Sequence, residues 1–232
     1  MADKPAIVLV HGGFVDGSGW RAVYDLLTHD GYHVAVVQNP TLSLQGDAAV
    51  ARLIIDAQDG PVVLVGHSYG GAVITEAGTE PERGGPGLHC GVRTGRGRVG
   101  QHAPRRFPDR RSRTADPAAQ GRLPVSRPGQ FHASFAGDVP ADLAAFMAES
   151  QVPWGVDALG GQVTEPAWRT KPSWYLITTN DKMIPPPAQR TMSGRAGSTT
   201  LEAAGSHSIY VSQPAAVADL IKQAASAVAA PQ

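Results

Sequence analysis

Pro61-Val62-Val63-Leu64-Val65 runs without a break into Gly66-His67-Ser68-Tyr69-Gly70-Gly71 and on into Ala72-Val73-Ile74-Thr75-Glu76-Ala77. A short apolar run that meets a glycine-flanked serine and then a second apolar run reads as a strand buried on both faces, a sharp turn and a helix. Such a turn lifts the serine hydroxyl out of the regular backbone, and its strand needs a parallel sheet to join.

The sequence on either side supplies that sheet. Ala6-Ile7-Val8-Leu9-Val10 is a continuous apolar run ending at His11-Gly12-Gly13. Trp20, Val23, Leu26 and Leu27 then recur at helical spacing up to Gly31, where a glycine stops a helix. Val34 to Val37 predicts a strand, and Asp47 to Gln58 a helix with Val50, Leu53 and Ile54 on one face. After the middle of the chain, Pro140 to Ser150 predicts a helix with proline in its first turn. Trp174 to Thr178 predicts a strand delivering Asp181, Thr199 to Ala203 a strand delivering His207, and Pro214 to Ala229 an amphipathic closing helix. Alternation of this kind predicts one α/β domain, its mostly parallel sheet flanked by helices. Its core comprises residues 1–80 and 171–232, with a small helical lid at 131–170.

Residues 81–130 break the pattern and predict an irregular insert. Over residues 83–130, arginines 83, 93, 96, 98, 105, 106, 110, 111, 113, 122 and 127 face only Asp109 and Asp116, so the chain's formal neutrality hides a strongly basic middle. Glycine and proline dominate the rest of the stretch, which holds no helix or strand period. The abrupt onset and equally abrupt end at Phe131 have the look of GC-rich DNA translated in a shifted frame.

A serine hydroxyl needs a base within hydrogen-bond reach, a group to orient that base, and donors for the oxyanion. Ser68 is the candidate nucleophile, His207 the base and Asp181 the orienting acid, in the chain order Ser, Asp, His that suits a strand-turn-helix serine. The alternative for Asp181 is a turn-forming or helix-capping role, with Asp157, Glu165 and Glu202 as other acids; only Asp181 directly follows a buried-type strand. The candidate oxyanion donors are the N–H of Tyr69 and that of Gly13 or Phe14 in the glycine loop after the first strand. His67 is expected to be a buried structural neighbour.

Other chemistries find little footing. No G-x-x-x-x-G-K occurs and no G-x-G-x-x-G opens a helix. Cys90 is the only cysteine, so no disulfide is expected, and His89, His102 and Cys90 lack ligand spacing, so neither is a metal. The basic stretch has Phe107 as its single aromatic, which argues against nucleic acid. No apolar run reaches the roughly 18 residues that would cross a bilayer, and no secretory signal pattern opens the chain, so a cytoplasmic location away from membranes is expected. No cofactor is implied, the sequence is silent on oligomeric state, and the partner it implies is a small-molecule substrate.

His11-Gly12-Gly13-Phe14-Val15-Asp16-Gly17-Ser18-Gly19-Trp20, Gly66-His67-Ser68-Tyr69-Gly70-Gly71, Gly205-Ser206-His207 and Gln151-Val152-Pro153-Trp154 together resemble the α/β-hydrolase superfamily. Within it they are similar to small bacterial esterases akin to plant methyl-salicylate esterases and hydroxynitrile lyases. The resemblance covers residues 5–80 and 131–230 and implies an α/β-hydrolase fold, with Gln151 to Trp154 in the lid. It further implies hydrolysis of carboxylic esters, pyrethroid-like ones among them, through an acyl-enzyme on Ser68. Hydroxynitrile lyases carry threonine where Gly12 stands here, which favours the esterase side over a C–C lyase. A non-catalytic or defective relative is the remaining reading, because the family would place an apolar central strand within residues 81–130.

Overall fold

The computed structural model describes residues 4–79, 90–94 and 128–229. Six strands form one parallel sheet: β1 (Ala6–Val10), β2 (Val34–Val37), β3 (Val62–His67), β4 (Cys90–Thr94), β5 (Ser173–Thr178) and β6 (Thr199–Ala203), in the order β2-β1-β3-β4-β5-β6. The order reverses direction at β1, so the loops after β1 and β3 open side by side at the carboxyl edge, where sites of α/β sheets form.

Strand alternation sorts the apolar runs onto two faces. Ile7, Leu9, Val63 and Val65 pack with Val23 and Leu27 of α1 (Arg21–His29) and with Leu220, Ile221 and Ala224 of α9 (Pro214–Ala229). Val8, Val10, Val62 and Leu64 face the other way, onto α2 (Leu44–Asp56) and α3 (Tyr69–Ala77). Ser43 caps α2 by accepting from Gly46 N–H.

Between β4 and β5 the described chain forms α4 (Pro128–Ser134), α5 (Ala141–Glu149) and α6 (Val156–Gly160). Phe131, Phe135, Ala144 and Ala148 of this excursion share a small core with Val15. Past β5 come α7 (Pro186–Arg195), then β6 and a short α8 (Ile209–Ser212).

The irregular stretch expected from 81 to 130 is corrected at two places: Cys90–Thr94 is strand and Pro128–Gln130 is the first turn of α4. β4 pairs with β3 through five residues and with β5 through three. A slot flanked by two strands demands ladder bonds of whatever backbone occupies it, a requirement that side-chain periodicity does not report. Residues 80–89 and 95–127, with His102 and most of the arginines, lie outside the described residues.

Candidate active site

Ser68 sits between β3 and α3 with φ 52° and ψ −120°, a left-handed conformation that costs a non-glycine residue on the order of 1 to 3 kcal/mol. Its flanking glycines are there for space. A Cβ on Gly66 would stand 2.4 Å from the carbonyl oxygen of Gly70, and one on Gly70 would stand 2.4 Å from that of Val10. The turn is therefore pressed against both its own helix and the end of β1. Tyr69 opens α3, where first-turn N–H groups have no partner within the helix.

Asp181 and His207 arrive from the ends of β5 and β6. His207 Nδ1 and Asp181 Oδ2 are 2.8 Å apart, with both side chains buried. The other carboxylate oxygen, Oδ1, accepts from Met183 N–H at 2.8 Å and Ile184 N–H at 2.9 Å. Burial pushes the Asp181 carboxyl up, but His207 and these two N–H groups outweigh it and hold the pKa below the ordinary carboxylate value. Asp181 thus stays ionised beside His207. The other acids weighed from sequence stand elsewhere: Glu202 pairs with Arg190 on the surface, and Asp157 lies on α6.

Gly13, Phe14, Ser68 and His207 line a single cavity of about 190 Å³, closed by Phe135, Trp154, Leu159, Met183 and Ile184. Among the described residues no hydrogen bond joins the Ser68 hydroxyl to His207, a contact that commonly tightens when substrate binds. Phe14 has φ 69° and its carbonyl accepts from Val152 N–H at 3.1 Å, so the glycine loop and the 151–154 segment fix each other. Trp154 covers Gly13 and meets the rings of Phe14 and Tyr69 at 5.2 and 5.3 Å.

Supporting residues escaped the sequence reading. Gln189 of α7 is buried, accepts from Thr178 N–H at 3.0 Å and donates to Asp181 Oδ2 at 3.1 Å and to the Ile184 carbonyl at 2.8 Å. Asp138 accepts from Ser206 N–H at 2.9 Å and from the Ser206 hydroxyl, pinning the loop that carries His207. The Tyr69 hydroxyl donates to buried Asp47, which also accepts from Thr41 N–H at 2.8 Å; Thr41 in turn bonds Pro153 and Gly155.

A parallel sheet that presents a strained serine at one strand end and an Asp-His pair at two others defines the α/β-hydrolase class of protein. The sequence pattern of the alpha/beta hydrolase family matches residues 7–220, and the chain belongs to that family. Among solved structures it is similar to a polyneuridine aldehyde esterase, at 17% identity and a TM-score of 0.76 over 95% of this chain and 99% of that one. It is similar too to a pyrethroid hydrolase from Sphingobium faniae JZ-2, at 20% identity and a TM-score of 0.67 over 96% and 98%. An extracellular alpha/beta-hydrolase from a Paenibacillus species aligns at 21% identity and a TM-score of 0.70 over 95% and 98%. No curated protein matches the chain in sequence. Among the described residues no helix is long and apolar enough to cross a membrane, and no cluster of three or more metal-ligating side chains occurs.

Proposed function

We propose that this protein is a serine hydrolase of carboxylic esters, working through an acyl-enzyme on Ser68. The observation that carries the reading is the 2.8 Å contact between His207 Nδ1 and ionised Asp181, in a cavity that His207 shares with the strained Ser68. Asp181 accepts Nδ1–H and leaves Nε2 of His207 free to take a proton. Ser68 Oγ attacks the acyl carbon while its proton passes to His207 Nε2. The N–H groups of Tyr69 and of Gly13 or Phe14 bond the oxyanion, each worth about 3 kcal/mol. Collapse expels the alcohol, which takes the proton from Nε2. Water then repeats the sequence on the acyl-enzyme and releases the acid, so no cofactor enters. The segment from Phe131 to Thr170 serves as a lid, with Trp154 over the acyl site.

The C–C lyases that this chain resembles carry threonine where Gly12 stands. A Cβ at Gly12 would lie 2.9 Å from both His67 Nδ1 and Ser68 Cβ, so the packing around Ser68 favours the esterase. The test is hydrolysis of p-nitrophenyl acetate and butyrate by wild type and Ser68→Ala, with circular dichroism on both. Turnover should fall by about a millionfold on losing the nucleophile. A folded wild type that leaves the esters intact yet releases cyanide from a cyanohydrin would overturn the proposal.

A further inference from the structure

Asp47 is a carboxylate buried where the fold has little use for one. It stands in the first turn of α2, a place where an acid ordinarily serves the positive end of its own helix. Here Ser43 already caps α2, and both oxygens of Asp47 bond outside the helix. Oδ1 accepts from Thr41 N–H at 2.8 Å, and Oδ2 accepts from the Tyr69 hydroxyl. Burying a carboxylate is unfavourable in itself, and burial pushes this carboxyl up. What the fold gains in return is the placement of two groups.

One is Tyr69, the residue after Ser68, whose N–H opens α3 beside the nucleophile. Its bond to Asp47 fixes the far end of the ring and, with it, the start of α3. The other is Thr41, whose φ of 58° is rare for a β-branched residue and persists only where the surroundings enforce it. Thr41 Oγ1 donates to the Pro153 carbonyl at 2.9 Å, and the Thr41 carbonyl accepts from Gly155 N–H at 2.7 Å, so Trp154 is held on both sides. A Cβ on Gly155 would stand 2.5 Å from the Leu42 carbonyl oxygen, which shows how closely the segment is pressed on residues 41 and 42. Trp154 in turn lies on Gly13, and Val152 N–H bonds the Phe14 carbonyl at 3.1 Å.

We propose that Asp47 is a positioning residue for the oxyanion site. One of its oxygens holds Tyr69, the other holds the segment that fixes Gly13 and Phe14, and a single carboxylate thereby sets the spacing between the two candidate N–H donors. The proposal rests on the reading of those N–H groups as oxyanion donors. Asp47 does not line the chamber of Ser68 and His207 and acts only through these neighbours. Because the oxyanion exists only after attack, a slip in donor spacing lowers kcat and leaves ground-state binding alone.

The test compares p-nitrophenyl butyrate kinetics with inhibition by butyl trifluoromethyl ketone and by butyl methyl ketone. Ser68 Oγ adds to the carbonyl carbon of the fluorinated ketone, its proton passes to His207, and the carbonyl oxygen becomes the oxyanion; the methyl ketone reports binding without that charge. Asp47→Leu strands both donors and should lower kcat about ten- to a hundredfold with KM within about twofold. Affinity for the trifluoromethyl ketone should fall by the same factor, and affinity for the methyl ketone should hold. Asp47→Asn still accepts from Thr41 N–H and offers an N–H to the Tyr69 oxygen, and should recover most of the loss. Tyr69→Phe should lower kcat about tenfold in wild type and cause no further fall in Asp47→Leu. Thr41→Gly suits the left-handed backbone while removing the hydroxyl that bonds Pro153, so it tests the other branch in a chain that folds without strain there. It too should lower kcat and trifluoromethyl ketone affinity together. A wild type inactive on the ester would sink the esterase reading and this role with it. An active wild type whose kcat and trifluoromethyl ketone affinity are unchanged in Tyr69→Phe and Thr41→Gly, or fall only in step with methyl ketone affinity, would overturn the role of Asp47 alone.

Discussion

The ring of His67 donates its Nε2–H to the main-chain carbonyl of His207 at 2.8 Å, so the residue before the strained serine holds the loop of the candidate base. The bond fixes the tautomer: Nδ1 is left without a proton, and no partner meets it among the described residues. His67 is fully buried and packs on the rings of His207 at 4.8 Å and Tyr210 at 4.4 Å. Burial lowers its pKa well below the ordinary histidine value, with His207 pushing the same way. It is therefore a neutral brace and not a second base.

Replacing that brace separates packing from hydrogen bonding. His67→Leu fills the space but strands a buried carbonyl, which should cost about 1 to 3 kcal/mol in urea unfolding and lower kcat for p-nitrophenyl butyrate about tenfold. His67→Gln keeps an N–H at a similar reach and should recover most of both. Equal stability and turnover in His67→Leu and wild type would show that the bond does not position His207.

Buried neutral histidines also set how the fold meets acid. The pKa values of His67 and His11 are both lowered in the folded chain, chiefly by burial, whereas the unfolded chain titrates them near 6.5. Below that pH the unfolded state binds protons that the native state refuses, so stability falls by up to about 1.4 kcal/mol per pH unit for each histidine. Asp47, raised by burial, acts in the opposite sense: its contribution is present below the unfolded value of 3.8 and is lost as pH rises through the folded one. Urea midpoints measured from about pH 7.5 down to 5.5 should decline from about 6.5, and His67→Gln should flatten the slope. A flat wild-type profile over that range would contradict the burial of both rings.

Asp181 and its support are separable by size of effect. Asp181→Asn removes the charge that orients and stabilises His207, and kcat should drop by about three to four orders of magnitude. Gln189→Leu leaves the carboxylate in place but deletes its bonds to Asp181, Thr178 and Ile184. The loss of one bond to a charged acceptor predicts a fall of about ten- to a hundredfold in kcat, with KM little changed. An effect of Gln189→Leu on KM alone would place Gln189 in substrate binding instead.

Which parts were legible follows from the range of the forces involved. β1, β2, β3 and β5 could be read because each is an apolar run, and β6, largely exposed, because Thr199–Ala203 leads into the Gly205-Ser206-His207 loop. The Ser, Asp, His order could be read because strand ends deliver all three. α7 could not: Pro186–Arg195 has no apolar stripe and packs through Gln189 and Met192, so helical periodicity leaves no trace. The partners Gln189, Asp138 and Asp47 were invisible for another reason, since each bonds to its target across a turn or between distant elements. β4 was missed because its place is set by the ladders of β3 and β5 rather than by its own pattern.

That missing pattern makes a prediction about the gene. β4 occupies the slot between β3 and β5, where a parallel sheet covered on both faces calls for near-continuous apolar residues, yet the chain there reads Cys90-Gly91-Val92-Arg93-Thr94. If a pair of compensating insertions or deletions shifted the frame across roughly residues 81 to 130, an alternative frame of the coding DNA should encode a strand-like apolar run after Ala77. Four or five such side chains, each worth about 1.5 to 3 kcal/mol when buried, would be a large gain beside a total stability of about 5 to 15 kcal/mol. The chain translated from the restored frame should then unfold at markedly higher urea than the present one, with the Ser68, Asp181 and His207 elements unchanged. Alternative frames that contain no apolar run in that interval would rule the shift out and leave β4 as a strand held by its neighbours' backbone bonds.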